Sequence, residues 1–182
     1  MKPDEALAAY VRMLRRWSSR VDLVAPGDLA RLESRHIDDS LKARQVVASA
    51  PEGPALDVGS GAGLPGVPLA IAGRRWWRLL EPRAKRAAFL EEVVRELDLS
   101  AEVIRKSAQE AAADTSLAGR HAVVTARALA PPVRAFDLMG PLVAPGGVRV
   151  VWVGLDAEIP PDAVRATGGL AIIGPGGPKP GT

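Results

Sequence analysis

The stretch from Leu56 to Pro68, Leu-Asp-Val-Gly-Ser-Gly-Ala-Gly-Leu-Pro-Gly-Val-Pro, constrains the fold of this chain more than any other feature. Ala55 to Val58 is a short apolar run that reads as a buried strand ending near the acidic Asp57. Gly59, Gly61 and Gly63 then alternate, which permits unusual backbone angles and lets the main chain approach a ligand closely. Pro65 opens a helix, where a proline in the first turn wastes no hydrogen-bond donor. A strand that runs through such a loop into a helix belongs to an open α/β sheet, with the loop at the carboxyl edge where these sheets take their ligands.

The remaining chain repeats this alternation. The pattern predicts helices over Pro65 to Ala72, Arg83 to Leu97 and Val133 to Val143. Within the second of these, Ala87, Leu90, Val93, Val94 and Leu97 form the inward stripe. Strands are predicted at Trp76 to Glu81, Ala101 to Arg105, His121 to Thr125, Val148 to Val153 and Leu170 to Ile173, with a short helix between the third and fourth strands of the chain. Pro145-Gly146-Gly147 is read as the turn that ends the last helix. Repeated strand–helix–strand units imply a mostly parallel sheet covered by helices on both faces.

Before any strand, Leu7, Tyr10, Val11, Leu14 and Trp17 recur at helical spacing from about Asp4 to Arg20. Pro26-Gly27-Asp28 breaks the chain and offers Asp28 as the N-cap of a second helix to about Ala48. The expected organisation is therefore a helical extension over 1–50, a sheet domain over 51–174 and a disordered tail over 175–182.

Composition narrows the chemistry. The 182 residues suffice for one domain with a real core. There is no cysteine and there are two histidines, so disulfides and thiolate metal sites are excluded and no metal centre is expected. The acidic Asp4 and Glu5 stand where a signal peptide would carry its apolar run, no membrane span is expected, and a cytoplasmic location follows as the expectation. Net charge is +3, with the mostly arginine cations clustered at Arg12, Arg15, Arg16 and Arg20, at Arg31 and Arg35, at Arg74, Arg75 and Arg78, and at Arg83, Lys85 and Arg86. Such clusters suit phosphate, although solvated helix faces paired with nearby glutamates would look the same.

Two nucleoside ligands compete for the glycine loop. A dinucleotide fingerprint needs a glycine five residues after the first, and from Gly59 that position is Leu64. Starting at Gly61 or Gly63 does not restore the spacing. Asp-x-Gly-x-Gly-x-Gly instead suits S-adenosylmethionine, which has no pyrophosphate to hold. Glu81, at the end of the second strand, is placed to accept from both ribose hydroxyls, a role common to both ligand types. The alternative is a glycine turn that binds nothing.

With these blocks in hand, the sequence resembles the small-subunit ribosomal RNA methyltransferase G family, also called glucose-inhibited division protein B. The resemblance runs from the first helix to about Val151 and is carried by Arg35-His36-Ile37-Asp38-Asp39-Ser40, Asp57 to Pro68, Lys85-Arg86 with Phe89-Leu90, and Ala126-Arg127-Ala128. It implies a class I methyltransferase (Rossmann-like) fold, with a mostly parallel sheet, helices on both faces and a two-helix N-terminal extension. It also implies S-adenosylmethionine as cofactor, 16S rRNA or the small ribosomal subunit as partner, and a monomeric enzyme that methylates N7 of guanine 527 in the 530 loop.

Carried over by motif, Gly59, Gly61, Gly63 and Leu64 would line the cofactor site, with Glu81 at the ribose and Ala108 and Gln109 beside the adenine. Arg127 would stand at the mouth of the pocket, and His36 and Asp39 would come from the N-terminal cap as further catalytic candidates. Arg35, Lys85 and Arg86 would contact RNA. Each has a plainer reading: His36 hydrogen-bonded to Asp39, Arg127 pairing a carboxylate, and Lys85 and Arg86 as first-turn surface charges. The chain departs from the family pattern at Gln109, Ala122 and Val153, where the family carries an acidic residue, an aspartate and a lysine, and at Asp22 and Val24. A non-catalytic module that binds cofactor or RNA, and a methyltransferase acting on another substrate, therefore stand beside the leading reading.

Overall fold

A computed structural model describes residues 1–175; the part of the predicted disordered tail beyond that lies outside the described residues. Seven strands form one sheet in the order β3-β2-β1-β4-β5-β7-β6. They are β1 Ala55–Val58, β2 Trp77–Leu80, β3 Ala101–Ile104, β4 His121–Ala126, β5 Val143–Trp152, β6 Val164–Ala166 and β7 Leu170–Ile173. The first five run parallel, while β7 pairs antiparallel with both β5 and β6. The sheet is thus mixed. The three-residue turn between β6 and β7 contains Gly168 and Gly169, both at positive φ, which a tight hairpin favours.

The predicted elements recur with small shifts: α1 Pro3–Ser18, α4 Gly66–Ala72, α5 Ala84–Glu96, α6 Ala108–Ala113 and α7 Pro132–Met139. Two expectations are corrected. The second helix is not continuous: a 3-10 turn over Pro26–Arg31 passes into a π-helical turn over Leu32–Ile37, then into short helices α2 Asp38–Leu41 and α3 Arg44–Ser49. Asp28 caps nothing, because Pro26 already starts the turn and the Asp28 carboxylate faces Arg35 at 3.0 Å and His36 at 3.5 Å. The second correction concerns Pro145-Gly146-Gly147, which lies inside β5 rather than between helix and strand. Val143 pairs with His121 and Val148 with Val123, so the Pro-Gly-Gly segment bulges out of the ladder and pairing resumes beyond it.

Alternation along β1 divides the core. Leu56 and Val58 point to the face covered by α6 and α7, where Ala111, Phe136 and Met139 bury. The opposite face carries Tyr10 and Leu14 of α1, Leu32, Ile37, Val67 and the α5 residues Phe89, Leu90 and Val93. Each such fully buried large side chain contributes about 1.5–3 kcal/mol. The N-terminal elements therefore share a core with the sheet. Among the described residues no helix is long and apolar enough to cross a membrane.

Two titratable groups are buried within the strands. His121 is fully buried at the start of β4. Arg78 Nη1 lies 3.3 Å from its Nε2. Because a guanidinium only donates, Nε2 accepts and Nδ1 carries the proton toward the Leu142 carbonyl at 2.9 Å. Burial, reinforced by Arg78, lowers its pKa below 6.5. Asp57 behaves oppositely: burial raises its pKa from 3.8 to about 6, against hydrogen bonds that favour the anion.

The signs are opposed. The depressed His121 contributes stability that is present above about pH 6.5 and is lost as pH falls below it, because the unfolded chain takes up the proton first. The raised Asp57 favours the folded state increasingly as pH falls through about 6 toward 3.8. His121→Asn removes only the first effect. Its melting temperature is expected to fall less than that of the native chain between about pH 7.5 and 5.5. Parallel melting curves against pH would refute the assignment of a neutral buried histidine.

Candidate functional site

The strand order reverses between β1 and β4, and the carboxyl ends of these two neighbours open the crevice in which α/β sheets take ligands. The glycine loop leaves β1 there, and Arg127 follows directly on β4. Asp57 turns away from the crevice and beneath α4. Its Oδ1 accepts from Thr125 Oγ1 at 2.8 Å and its Oδ2 from Gly66 N at 3.2 Å. The residue that opens the motif therefore fixes the loop to β4 and α4 from within.

All three loop glycines have positive φ: 69° at Gly59, 56° at Gly61 and 88° at Gly63. They face different surroundings. A methyl group added at Gly59 would lie 2.7 Å from Leu129 Cδ1, and one at Gly61 would lie 3.7 Å from Arg86 Nη1 and 4.0 Å from Glu81 Oε2. At Gly63 the neighbours are core atoms, Val67 Cγ2 at 2.7 Å and Leu90 Cδ2 and Tyr10 Oη at 3.1 Å. Leu64 is likewise buried in the α1 face of the core. Gly59 is half-buried against Leu129, and Gly61 is buried beside the Glu81 carboxylate.

Glu81 stands immediately beyond β2. Its Oε2 accepts from Gly61 N and its Oε1 from Arg83 N, both at 2.9 Å. Each oxygen keeps acceptor capacity beyond that bond, so a ribose diol would find one acceptor per hydroxyl. Ala108 opens α6 and is buried; Gln109 beside it is exposed. Ser107 caps α6 and accepts from Glu110 N at 3.2 Å, which fixes the start of that helix. The crevice thus offers a backbone cradle, a carboxylate and a helix start, a set that fits a nucleoside cofactor.

The N-terminal cap meets the sheet at Arg127. Its Nη1 lies 3.3 Å from Asp39 Oδ2, and its Nη2 lies 3.1 Å from His36 Nδ1. The donor must be Arg127, so His36 is the neutral tautomer with its proton on Nε2, directed at Asp28. Burial, then the Arg127 charge, lowers its pKa. His36 and Arg127 therefore pair with one another, and the carboxylate partner expected for Arg127 is Asp39. Trp152 Nε1 donates to the Asp39 carbonyl at 2.9 Å and ties the end of β5 to the same cap.

An open cleft of ≈ 790 Å³ lies beside this junction, lined by Arg35, His36, Asp39 and Lys42 of the cap and by Trp152, Val153 and Leu155 at the end of β5. Arg35 is exposed and shares Asp28. Lys85 is exposed on α5, whereas Arg86 donates through Nε and Nη2 to the Asp22 carbonyl at 3.0 and 2.7 Å. Because that bond uses the backbone, the Asp22 departure leaves it intact. Val153 lines the cleft, while Ala122 sits at the far, amino end of β4 against Gly53. A groove of ≈ 810 Å³ at that far end is larger, but Arg75 within it is held by four backbone carbonyls, those of Val47, Ala50, Pro51 and Gly53. It lies away from the glycine loop.

Tyr10 is the contributor the sequence reading missed. Its periodicity marks it as a core residue of α1, and it is fully buried, yet its hydroxyl donates to the Ala62 carbonyl in the glycine loop at 2.5 Å. Tyr10→Phe is expected to destabilise the fold by about 1–2 kcal/mol, because the Ala62 carbonyl loses its donor. It should also weaken cofactor binding several-fold by loosening the loop, which calorimetry on the folded variant would read. Unchanged binding would reduce Tyr10 to a packing residue.

The comparisons with known proteins bear on family and fold. Residues 4–162 match the family model for rRNA small subunit methyltransferase G. The ribosomal RNA small subunit methyltransferase G of Acidiphilium cryptum is 40% identical over 157 residues, covering 84% of this chain and 69% of that protein. That of Methylobacterium radiotolerans is 42% identical over 158 residues, covering 85% and 72%. Among solved structures, a geranyl diphosphate methyltransferase in complex with sinefungin superposes with a TM-score of 0.51 at 22% identity, covering 71% of this chain and 50% of that one. That likeness concerns the fold, a mixed sheet with flanking helices consistent with a Rossmann-like methyltransferase. The match along nearly the whole described chain makes this chain a member of the rRNA small subunit methyltransferase G family.

Proposed function

We propose that the chain is an S-adenosylmethionine-dependent rRNA methyltransferase that modifies N7 of a guanine in the 530 loop of 16S rRNA. The observation that carries this reading is the adjacency of two sites. The glycine loop leaves β1 beside β4, whose next residue Arg127 lines a cleft with Arg35, His36 and Asp39, and Leu129 lies against Gly59. The cofactor supplies a methyl group on a sulfonium, a good leaving group.

Guanine N7 already presents an in-plane lone pair, so the chain need not remove a proton. Its task is to align acceptor and methyl donor, a matter of proximity and orientation. Gly59 and Gly61 bring the main chain to the cofactor, Glu81 fixes the ribose, and the His36–Arg127–Asp39 junction shapes the entrance for the base. His36 stays neutral near pH 7, because its pKa is lowered, and so adds no charge against the cationic methyl donor.

The test is transfer of radiolabelled methyl from S-adenosylmethionine to small subunits that lack the modification, followed by mapping of the labelled nucleotide. Label at N7 of the 530-loop guanine is the expected result. Calorimetric cofactor binding without transfer would overturn it in favour of a binding module, and label on another acceptor would reassign the substrate.

A further inference from the structure

The cleft beside Arg127 has two chemically different walls. Lys42 and Arg35 stand on the cap side, and Lys42 Nζ lies 2.7 Å from Asp39 Oδ1. An ammonium has three protons, so this pairing leaves two for another oxygen. The stem of Lys42 is fixed by the β6–β7 turn: a methyl group at Gly168 would lie 2.8 Å from Lys42 Cδ. The segment Trp152 to Leu155 also lines the cleft and carries no charged side chain. It ends in Leu155, which is 90% exposed at the rim of the cleft, the most exposed of the large hydrophobic residues.

We propose that this cleft takes one unstacked nucleotide of single-stranded RNA, with its phosphodiester on Lys42 and Arg35 and its base face against Val153 and Leu155. The inference rests on the reading of the acceptor as RNA. Charge complementarity assigns the phosphate to the cap residues, because the Trp152 to Leu155 segment is uncharged. A base inside a helix cannot reach a reactive centre in a cleft, and enzymes that modify bases take them out of the stack. An apolar side chain standing free at the rim offers the extruded base a surface to pack on. Leu155 occupies that position.

The experiment is fluorescence anisotropy of the full chain with S-adenosylhomocysteine, titrated against two labelled RNAs over a range of salt. One RNA is a hairpin bearing the unmodified 530 loop; the other is a fully paired duplex of equal length. The native chain should favour the hairpin. Lys42→Ala should weaken hairpin binding and make the dependence of log affinity on log salt shallower by about one unit. Leu155→Ala should weaken hairpin binding by about tenfold, leaving the salt dependence and the duplex affinity unchanged. Cofactor affinity measured on the same samples reports that both variants are folded.

If the native chain binds neither RNA, the RNA reading itself is overturned. If it binds the hairpin while either variant matches it, the role of that wall is overturned and the RNA reading stands. Equal losses on hairpin and duplex in Leu155→Ala would also overturn the base contact.

Discussion

Glu81→Ala is expected to lower S-adenosylmethionine affinity by at least about a hundredfold and to abolish detectable methyl transfer. The carboxylate is buried, and its two oxygens accept from Gly61 N and Arg83 N at 2.9 Å. Removing it leaves the buried Gly61 amide without a partner, at about 1–3 kcal/mol, and frees the part-buried Arg83 amide. It also removes the acceptors proposed for the ribose hydroxyls, and hydrogen bonds to a charged group contribute about 1.5–3 kcal/mol apiece. The fold should therefore weaken together with binding. Glu81→Gln separates the two effects: its amide keeps one acceptor but turns a second donor toward donors, so intermediate affinity is expected with a smaller loss of stability. Calorimetry on both variants, with melting curves alongside, reads the difference. Native affinity in Glu81→Ala would remove Glu81 from the cofactor site.

Gly66→Ala is the second large effect. A methyl group there would lie 2.6 Å from Leu79 Cδ2, 2.8 Å from Asp57 Oδ2 and 2.9 Å from Asp57 Cβ. Those contacts are too short to survive, so α4 must move away from β1 and stretch the Gly66 N to Asp57 Oδ2 bond, already 3.2 Å. Overpacking costs about 1–3 kcal/mol and the weakened bond about 1 more. For a domain of this size that lowers the melting temperature by roughly 5–10 °C. Gly27→Ala is the control, because a methyl group at Gly27 meets open space and should change stability by less than about 0.5 kcal/mol. A melting temperature for Gly66→Ala equal to that of the control would show that α4 yields without strain.

Gly66 also shows how sequence and structure divide the information. The Gly-Leu-Pro-Gly run is plain in the sequence, and the loop, the strand before it and the helix after it are read from local pattern alone. That works because strand alternation, glycine permissiveness and proline at a helix start are properties of a few neighbouring residues. The reason for a glycine at 66 is not local: Asp57 and Leu79 reach it from two different strands. Tyr10 is a similar case, since its helical spacing predicts burial but says nothing of the Ala62 carbonyl 52 residues away.

The misread elements have the same cause. A continuous helix from Asp28 to Ala48 satisfies its own periodicity, but the Asp28 carboxylate faces Arg35 and His36, and Arg127 draws on the His36 ring and the Asp39 carboxylate. These contacts accompany an irregular path through 3-10 and π turns. Pro145-Gly146-Gly147 carries a strong turn signal, and it does turn, but as a bulge within β5 because β4 supplies pairing on either side of it. The strand β6 is three residues long and has too little pattern to be read without its partner β7.

The sequence by itself determined the alternating α/β architecture, the glycine loop at the end of the first strand, the acidic residue at the end of the second and the family resemblance. All of these are written in short runs of neighbouring residues. The tertiary structure alone decided which groups meet: His36 with Arg127, Glu81 with the Gly61 and Arg83 amides, Tyr10 with the loop, and Lys42 and Leu155 in one cleft. Those pairings depend on how elements far apart in the chain pack on a common sheet. Hydrogen-bond geometry and burial enforce them only once that packing exists.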